Sequence, residues 1–181
     1  MPSVAIGIDS VVKKYFNSYR KKGTLPPLLK GKLKAKLIEE LPGSFYYNNS
    51  DGSLLWGRLD ECVILEDGKY SPLDFKTRSS SPKEIHPVFQ FQMDVYTFLL
   101  EKNGLPVNNK AFLLYFYPQE GPLHEGFPFT AEIHELKTDP GRAEKVFKDA
   151  LKALKAEMPS ASEECEYCKW LEAVTIREKY I

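Results

Sequence analysis

Two apolar segments joined by a short turn make up residues 54–76, LLWGRLDECVILEDGKYSPLDFK. Apolar runs of this length that are bounded by turn signals are typical of β-strands. We therefore predict strands over residues 54–65 and 69–76, with Glu66-Asp67-Gly68 as the turn between them. This stretch predicts an antiparallel hairpin at the centre of the fold.

The length of the hairpin loop decides whether two acidic side chains meet. A two-residue loop pairs Asp60 with Phe75 and puts Asp60 and Asp74 on opposite faces. A three-residue loop pairs Asp60 directly with Asp74, and Gly68 suits the left-handed position that this loop requires. Residues two apart in a strand share a face, so Lys76 projects beside Asp74. With the three-residue loop, we expect two carboxylates and a lysine on one face.

The rest of the chain predicts helices and strands around this hairpin. We expect helices over residues 9–23, 27–41, 88–103 and 139–157, and strands over residues 45–47, 110–117 and 127–136. A short helix is also compatible with the tail, residues 160–181. This order predicts an α/β (α+β) fold with a mixed central sheet flanked by helices, and 181 residues suit a single domain over residues 1–181.

The charges are balanced overall but uneven along the chain. There are 25 basic and 25 acidic residues, whereas residues 1–36 hold nine basic residues against one acid. Such asymmetry can attract phosphate on a neutral protein, although a solvated helical surface gives the same pattern. The residues that we expect to bind nucleic acid in this segment are Lys32, Lys34 and Lys36.

The compartment is predicted from three features of the sequence. No run of about 18 apolar residues occurs, and the N-terminus lacks the charged start and apolar stretch of a signal peptide. The three cysteines, an odd number, argue against a disulfide framework. We therefore expect a cytoplasmic protein without a membrane partner.

Two opposed carboxylates beside a lysine suit phosphoryl chemistry. Asp60 lies in an otherwise apolar strand, where a buried carboxylate is costly unless it is paired or metal-bound. Two carboxylates with substrate phosphate oxygens suit Mg²⁺, which can activate water and neutralise developing charge. Lys76 could hold or deprotonate the attacking water, or stabilise the transition state. The alternative is an ordinary surface ion pair between Asp74 and Lys76.

Gln92 and Tyr96 add a third element, because residues four apart share one face of a helix. Gln92 could orient a water or a ligand carboxylate, and Tyr96 could reach a phosphate. Half-buried packing is the alternative for both. Arg78 shares the face of Asp74 and could hold a phosphate, or be a surface arginine.

Three segments in order resemble the motif set of the PD-(D/E)XK nuclease superfamily: Gly57-Arg58-Leu59-Asp60, Asp74-Phe75-Lys76-Thr77 and Gln92-Met93-Asp94-Val95-Tyr96. The branch they resemble is the RecB-like group, which includes CRISPR-associated RecB-like exonucleases. The resemblance spans residues 57–96. It implies a restriction-endonuclease-like fold, Asp60 and Asp74 as ligands of Mg²⁺ or Mn²⁺, a catalytic Lys76, and support of the site and the DNA by Gln92 and Tyr96.

The resemblance also implies an acid or histidine on an earlier helix. No histidine precedes His86, and Glu40 falls at the edge of the apolar stripe of the predicted helix 27–41. We therefore nominate Glu40 as this residue, with a solvated glutamate at a helix end as the alternative.

The cysteines do not complete the iron–sulfur site that the resemblance suggests. RecB-like CRISPR nucleases carry a cysteine cluster near the tail, and four cysteines are usual for such a cluster. This chain has Cys62, Cys165 and Cys168. We expect no iron–sulfur cluster, while a zinc ion shared between molecules is an alternative for Cys165 and Cys168.

These features together predict a metal-dependent nuclease that hydrolyses DNA, single- or double-stranded, in repair, recombination or defence. The alternative is a non-catalytic nucleic-acid-binding or assembly module that keeps the nuclease fold.

Overall fold

The computed structural model describes residues 4–158 and 160–178. The helices are α1 (Val4–Arg20), α2 (Pro87–Lys102), α3 (Pro140–Lys155) and α4 (Glu166–Glu178), with short 3₁₀ helices at Pro27–Leu29 and Leu123–Glu125. The strands are β1 (Ala35–Leu37), β2 (Phe45–Asn48), β3 (Leu54–Gly57), β4 (Glu61–Leu65), β5 (Tyr70–Thr77), β6 (Lys110–Pro118) and β7 (Phe129–Lys137).

The strands form one mixed sheet and one small sheet. The five-stranded sheet has the order β1-β4-β5-β6-β7, and β2 and β3 pair separately. All pairs are antiparallel except β5 and β6, which run parallel because α2 crosses between them. The predicted α/β (α+β) class, a mixed sheet with helices on it, is confirmed.

The two faces of the large sheet pack against different helices. Val63, Leu73 and Phe75 face α1, where the rings of Phe16 and Phe75 lie 4.7 Å apart. On the other face, Met93, Phe98 and Leu99 of α2 pack against the sheet. Their contacts there include Cys62, Leu113 and Tyr115. Strand β5 is therefore buried on both sides, which places its one acidic residue under α2.

The chain divides into two compact units, Met1–Phe147 and Lys148–Ile181. The first contains the large sheet with α1 and α2, and the second contains α4. The single domain over residues 1–181 stays a prediction. Among the described residues, no helix has both the length and the apolar character needed to cross a membrane.

The helix predicted over residues 27–41 is wrong. The leucine spacing fits a helix, but Gly31 adopts a left-handed conformation with φ of 75°, which ends the turn begun at Pro27–Leu29. The chain then forms β1, in which Ala35 pairs with Leu65 and Leu37 with Val63. Strand pairing between distant residues has overridden a local helical pattern.

The long strand predicted over residues 54–65 is divided in two. Residues Leu54–Gly57 pair with β2, whereas Glu61–Leu65 pair with β1 and β5. The break falls at residues 58–60, so Asp60 lies where the chain passes from one sheet to the other.

Candidate active site

The hairpin formed by β4 and β5 has the predicted three-residue loop. Leu65 N donates to Lys69 O at 2.9 Å, Gly68 N donates to Leu65 O at 2.9 Å, and Gly68 has φ of 76°. Glu61 pairs with Leu73, so the same register sets Asp60 opposite Asp74. The prediction that these two acids face each other is confirmed.

The side chain of Asp60 accepts the last hydrogen bond between the two strands of the hairpin. Its Oδ2 accepts a hydrogen bond from Phe75 N at 3.1 Å, in place of a main-chain carbonyl of β4. Its Oδ1 lies 2.8 Å from Lys13 Nζ of α1, and Lys13 also pairs with Asp9 at 2.9 Å. Asp60 is therefore fixed between β5 and the first helix.

Asp74 is a buried carboxylate, with 2% of its surface exposed. Its Oδ2 lies 2.5 Å from Lys76 Nζ, and its Oδ1 accepts from Gln92 Nε2 at 3.3 Å. Burial raises the pKa of Asp74 to about 6; the charge of Lys76 opposes this rise and the nearby Asp60 adds to it. The Asp74 carboxyl is therefore a weaker acid than an exposed aspartate.

Helix α2 supplies the polar groups that cover the carboxylates. Gln92 Oε1 accepts from Lys76 Nζ at 2.8 Å, and Gln92 Nε2 donates to Tyr96 Oη at 2.9 Å. Lys76 Nζ also lies 4.3 Å from the centroid of the Phe89 ring. The structure thus joins Asp60, Asp74, Lys76, Gln92 and Tyr96 into one cluster, as the sequence predicts.

Gly57 allows β3 to approach this cluster. A Cβ at position 57 would lie 2.7 Å from Leu99 Cδ1 and 3.4 Å from Tyr96 Cε1. Real Cβ atoms do not approach so closely without a shift of the neighbour. The glycine of the segment Gly57-Arg58-Leu59-Asp60 therefore has a packing role, which is to seat the strand on α2 beside Tyr96.

The donors present fit a hard divalent cation. Mg²⁺ is commonly held by one or two carboxylates with waters in the remaining positions, and Asp60 and Asp74 are two adjacent carboxylates. Within residues 4–158 and 160–178 no group of three or more His, Cys, Asp or Glu side chains has a metal-binding arrangement. A cation here would rely on these two acids, and it would compete with Lys13 for Asp60.

Glu40 does not lie on a helix, because the predicted helix 27–41 is absent. It is an exposed residue of the loop after β1. It lines a cavity of about 400 Å³ whose walls also include Lys13, Arg20, Arg58 and Asp60. Its part in the site stays a prediction.

Two of the lysines predicted to bind nucleic acid, Lys34 and Lys36, lie away from the carboxylates. Lys34 and Lys36 line a different cavity of about 780 Å³ beside the hairpin loop, at Glu66 and Gly68. Strand β4 separates that loop from Asp60, and five residues of strand span about 17 Å. Lys32 Nζ donates to Ala131 O at 2.8 Å, so this lysine also braces β7.

Arg78 is exposed just beyond β5, and its main-chain N donates to Phe116 O at 2.9 Å. This bond extends the parallel ladder past the strand end. Binding of nucleic acid by Arg78, Lys32, Lys34 and Lys36 stays a prediction.

The sequence does not predict the buried ion pair between Arg20 and Glu61, next to Asp60. Glu61 is 1% exposed, and its Oε2 lies 2.6 Å from an Arg20 nitrogen, while Arg20 also donates to Ile38 O at 3.0 Å. Burial raises the pKa of Glu61, and Arg20 opposes the rise. Arg20 thus ties α1 to β4 and to Ile38, the residue just after β1, and the only sequence signal of the ion pair is a second acid next to Asp60 in an apolar strand.

Asp94 also has a structural role that the sequence does not reveal. It is fully buried and accepts from Asp139 N at 2.9 Å and Gln90 Nε2 at 3.1 Å. Arg142 forms an ion pair with it. Asp94 therefore fastens α2 to the beginning of α3, on the side of α2 away from Gln92.

The cysteines are free thiols. Cys62 is fully buried, and burial raises its pKa to about 12, which makes it a packing residue. In the second unit, Cys168 N donates to Cys165 Sγ at 3.4 Å at the start of α4. The predictions for these two cysteines, no iron–sulfur cluster or a shared zinc, stay predictions.

Neither a protein-family model nor a curated protein sequence matches this chain. Among solved structures, the chain is similar to the crystal structure of SSO0001, with 19% sequence identity and a TM-score of 0.48. The match covers 89% of this chain and 66% of that one, so this chain spans just under two thirds of the length of that structure. At this level the similarity assigns neither a family nor a function.

Proposed function

We propose that this protein is a divalent-metal-dependent nuclease of the PD-(D/E)XK type that hydrolyses phosphodiester bonds in DNA. The observation that supports the proposal is the opposed pair Asp60 and Asp74, with Lys76 held 2.5 Å from Asp74. A fold alone does not establish an activity, so the proposal rests on these side chains.

Asp60 and Asp74 are the residues that would hold Mg²⁺ or Mn²⁺. When bound, the cation would activate a water and offset the charge that develops on the phosphate. Asp74 must lose its proton first, and its pKa of about 6 means that it does so near neutral pH. Activity should therefore rise with pH through this range.

Lys76 provides the positive charge next to the acids. Its side chain is 16% exposed, and Gln92 Oε1 holds its Nζ at 2.8 Å. In so dry a place a fixed ammonium group can orient a water by hydrogen bonding, or stabilise charge on a phosphate oxygen, without reorganisation of solvent. Gln92 is in turn fixed by Tyr96, so Gln92 and Tyr96 act as positioning residues.

The biological setting that we propose is DNA repair, recombination or defence in the cytoplasm. The three free cysteines fit a reducing compartment. We expect DNA to be bound through its phosphates by Lys13, Arg20 and Arg58, which line the surface cavity beside Asp60 together with Glu40 and Glu61.

The test is digestion of single- and double-stranded DNA with Mg²⁺ or Mn²⁺ by the wild type and two nearly isosteric variants. We expect Asp74→Asn and Lys76→Met each to lower the rate by about a hundredfold or more, the usual loss when one preorganised charge is removed. Asp67→Asn, which changes an exposed loop residue of the same hairpin, is the matched control and should keep wild-type activity. Absence of cleavage of both substrates with either metal would overturn the proposal.

A second function is favoured by one observation, which is that both acids already have an ammonium partner. Lys13 lies 2.8 Å from Asp60, and Lys76 lies 2.5 Å from Asp74. A cluster neutralised in this way can persist as part of a non-catalytic nucleic-acid-binding module. Salt-dependent DNA binding that persists without any cleavage would support this second function over the first.

A further inference from the structure

Two aromatic side chains are exposed next to each other on the small sheet. Tyr46 of β2 and Trp56 of β3 are directly paired, and they are 51% and 59% exposed. Directly opposed residues on one face of an antiparallel pair have Cβ atoms about 5 Å apart. The two side chains therefore project next to each other from one face of the small sheet, and we call this pair the Tyr46–Trp56 platform.

The platform has a rigid support. On the opposite face of the small sheet, the ring of Tyr47 packs 5.0 Å from Phe98 of α2. Asn103, at the end of α2, donates to Tyr46 O at 3.0 Å. Gly57 keeps β3 in close contact with the same helix. The exposed rings are thus carried by a backbone that is fixed to α2, the helix that also covers the two carboxylates.

The platform leads along the chain to Asp60. Exposure alternates beyond β3, with Trp56 and Arg58 exposed while Gly57 and Leu59 turn inwards. Arg58 therefore lies on the side of Trp56, and it lines the cavity of about 400 Å³ together with Asp60. Four residues along the chain separate Trp56 from Asp60, at most about 13 Å, which a few nucleotides can span.

We propose that Tyr46 and Trp56 stack unpaired nucleobases of a nucleic-acid strand, and that Arg58 contacts its phosphates on the way to Asp60. Exposed aromatic rings with an arginine nearby can bind a strand without reading its sequence, since every base has an apolar face. A duplex hides those faces, so the platform selects a single-stranded segment. The direction of the strand towards Asp60 rests on the proposed nuclease function, whereas stacking itself does not.

The experiment uses Trp56 as its own reporter. The chain has two tryptophans, so Trp170→Phe leaves Trp56 as the only one. This full-length variant is titrated in EDTA, which prevents cleavage, with a single-stranded DNA oligonucleotide and with a duplex of the same sequence. We expect quenching of Trp56 fluorescence by the single strand and much less by the duplex.

Variants separate stacking from general attraction to DNA. Trp56→Ala, in the wild-type background and followed by fluorescence anisotropy of labelled DNA, should weaken binding of the single strand at least about fivefold, the lower end of the loss for one stacked base. Trp56→Phe should retain most of the affinity because it keeps a ring. Phe127→Ala is the control, because it removes a ring that lies just before β7 and is 75% exposed. This variant should bind the single strand as tightly as the wild type does.

Three results would overturn the stacking proposal. These are single-strand binding without quenching of Trp56, equal quenching by the duplex, and self-association of the protein that Trp56→Ala abolishes while DNA binding is unchanged. The proposed nuclease function fails separately, by absence of metal-dependent cleavage. Loss of stacking with Asp74-dependent cleavage intact would reject the platform alone, and stacking without cleavage would retain it.

Discussion

Replacement of Asp74 by asparagine should stabilise the metal-free protein, and the gain should depend on pH. Between about pH 4 and pH 6 the unfolded chain ionises at this carboxyl while the folded protein keeps it protonated, because burial raises the pKa to about 6. The unfolded state then binds fewer protons than the folded state, so this group makes stability fall as pH rises through that range. Asparagine carries no charge and has no such effect.

The size of the effect follows from the two pKa values. An aspartate pKa of about 4 in the unfolded chain and about 6 in the folded protein differ by about two units, and each unit corresponds to about 1.4 kcal/mol. Above about pH 7 the ionised Asp74 therefore costs the folded state about 3 kcal/mol. Near pH 4 nearly all of this cost is absent. The stability of Asp74→Asn relative to the wild type should thus rise by about 2 to 3 kcal/mol between about pH 4 and pH 8.

The assay is urea unfolding followed by circular dichroism in EDTA, at several pH values in this range. Glu39→Gln, which removes an exposed carboxylate, is the matched control for a general effect of net charge. Addition of Mg²⁺ at a hundredfold its dissociation constant should then stabilise the wild type by about 2.7 kcal/mol and the asparagine variant by much less. A stability difference that does not change with pH, or that favours the wild type at pH 8, would refute the reasoning.

Other substitutions test the surroundings of the carboxylates. Gly57→Ala should lower the free energy of unfolding by about 1 kcal/mol, because its Cβ would lie 2.7 Å from Leu99 Cδ1 and this buried methyl group must shift; a gain in stability in urea would contradict the close approach. Arg20→Met should cost about 3 to 5 kcal/mol by leaving Glu61 buried without its partner, more at high pH than at low pH; a loss below about 1 kcal/mol would show that water reaches Glu61. Lys13→Met should strengthen Mg²⁺ binding in calorimetry by freeing Asp60, and weaker binding would show that Lys13 supports the cation site instead.

The parts of the site that the sequence predicts are those built by local rules. Gly68 and the strand pattern around it determine the loop length, and the loop length alone sets Asp60 opposite Asp74. The helical spacing of Gln92 and Tyr96 likewise determines that both face the same way, and they are joined at 2.9 Å. These relations involve neighbours in the chain or one tight turn, which is why they are accessible without a structure.

The parts that the sequence does not predict depend on distant pairing. Residues 27–41 have leucines at helical spacing, yet β1 forms there because Leu37 pairs with Val63. Arg20 and Glu61 are 41 residues apart, and nothing near either residue indicates its partner. The pairing of Lys13 with Asp60 is of the same kind. In these cases the packing of a helix on the sheet brings the two charged side chains together. The sequence around either residue has no periodic pattern that indicates this packing.

The central claim is that Asp60 and Asp74 together hold a divalent cation. It is tested most directly by anomalous diffraction from crystals of the wild-type protein soaked in Mn²⁺ above pH 7. The predicted result is an anomalous peak in contact with both carboxylates and the displacement of Lys13 Nζ from Asp60, with no peak at this position in Asp74→Asn crystals. Carboxylates that remain paired with Lys13 and Lys76, with no manganese between them at saturating concentration, would contradict it.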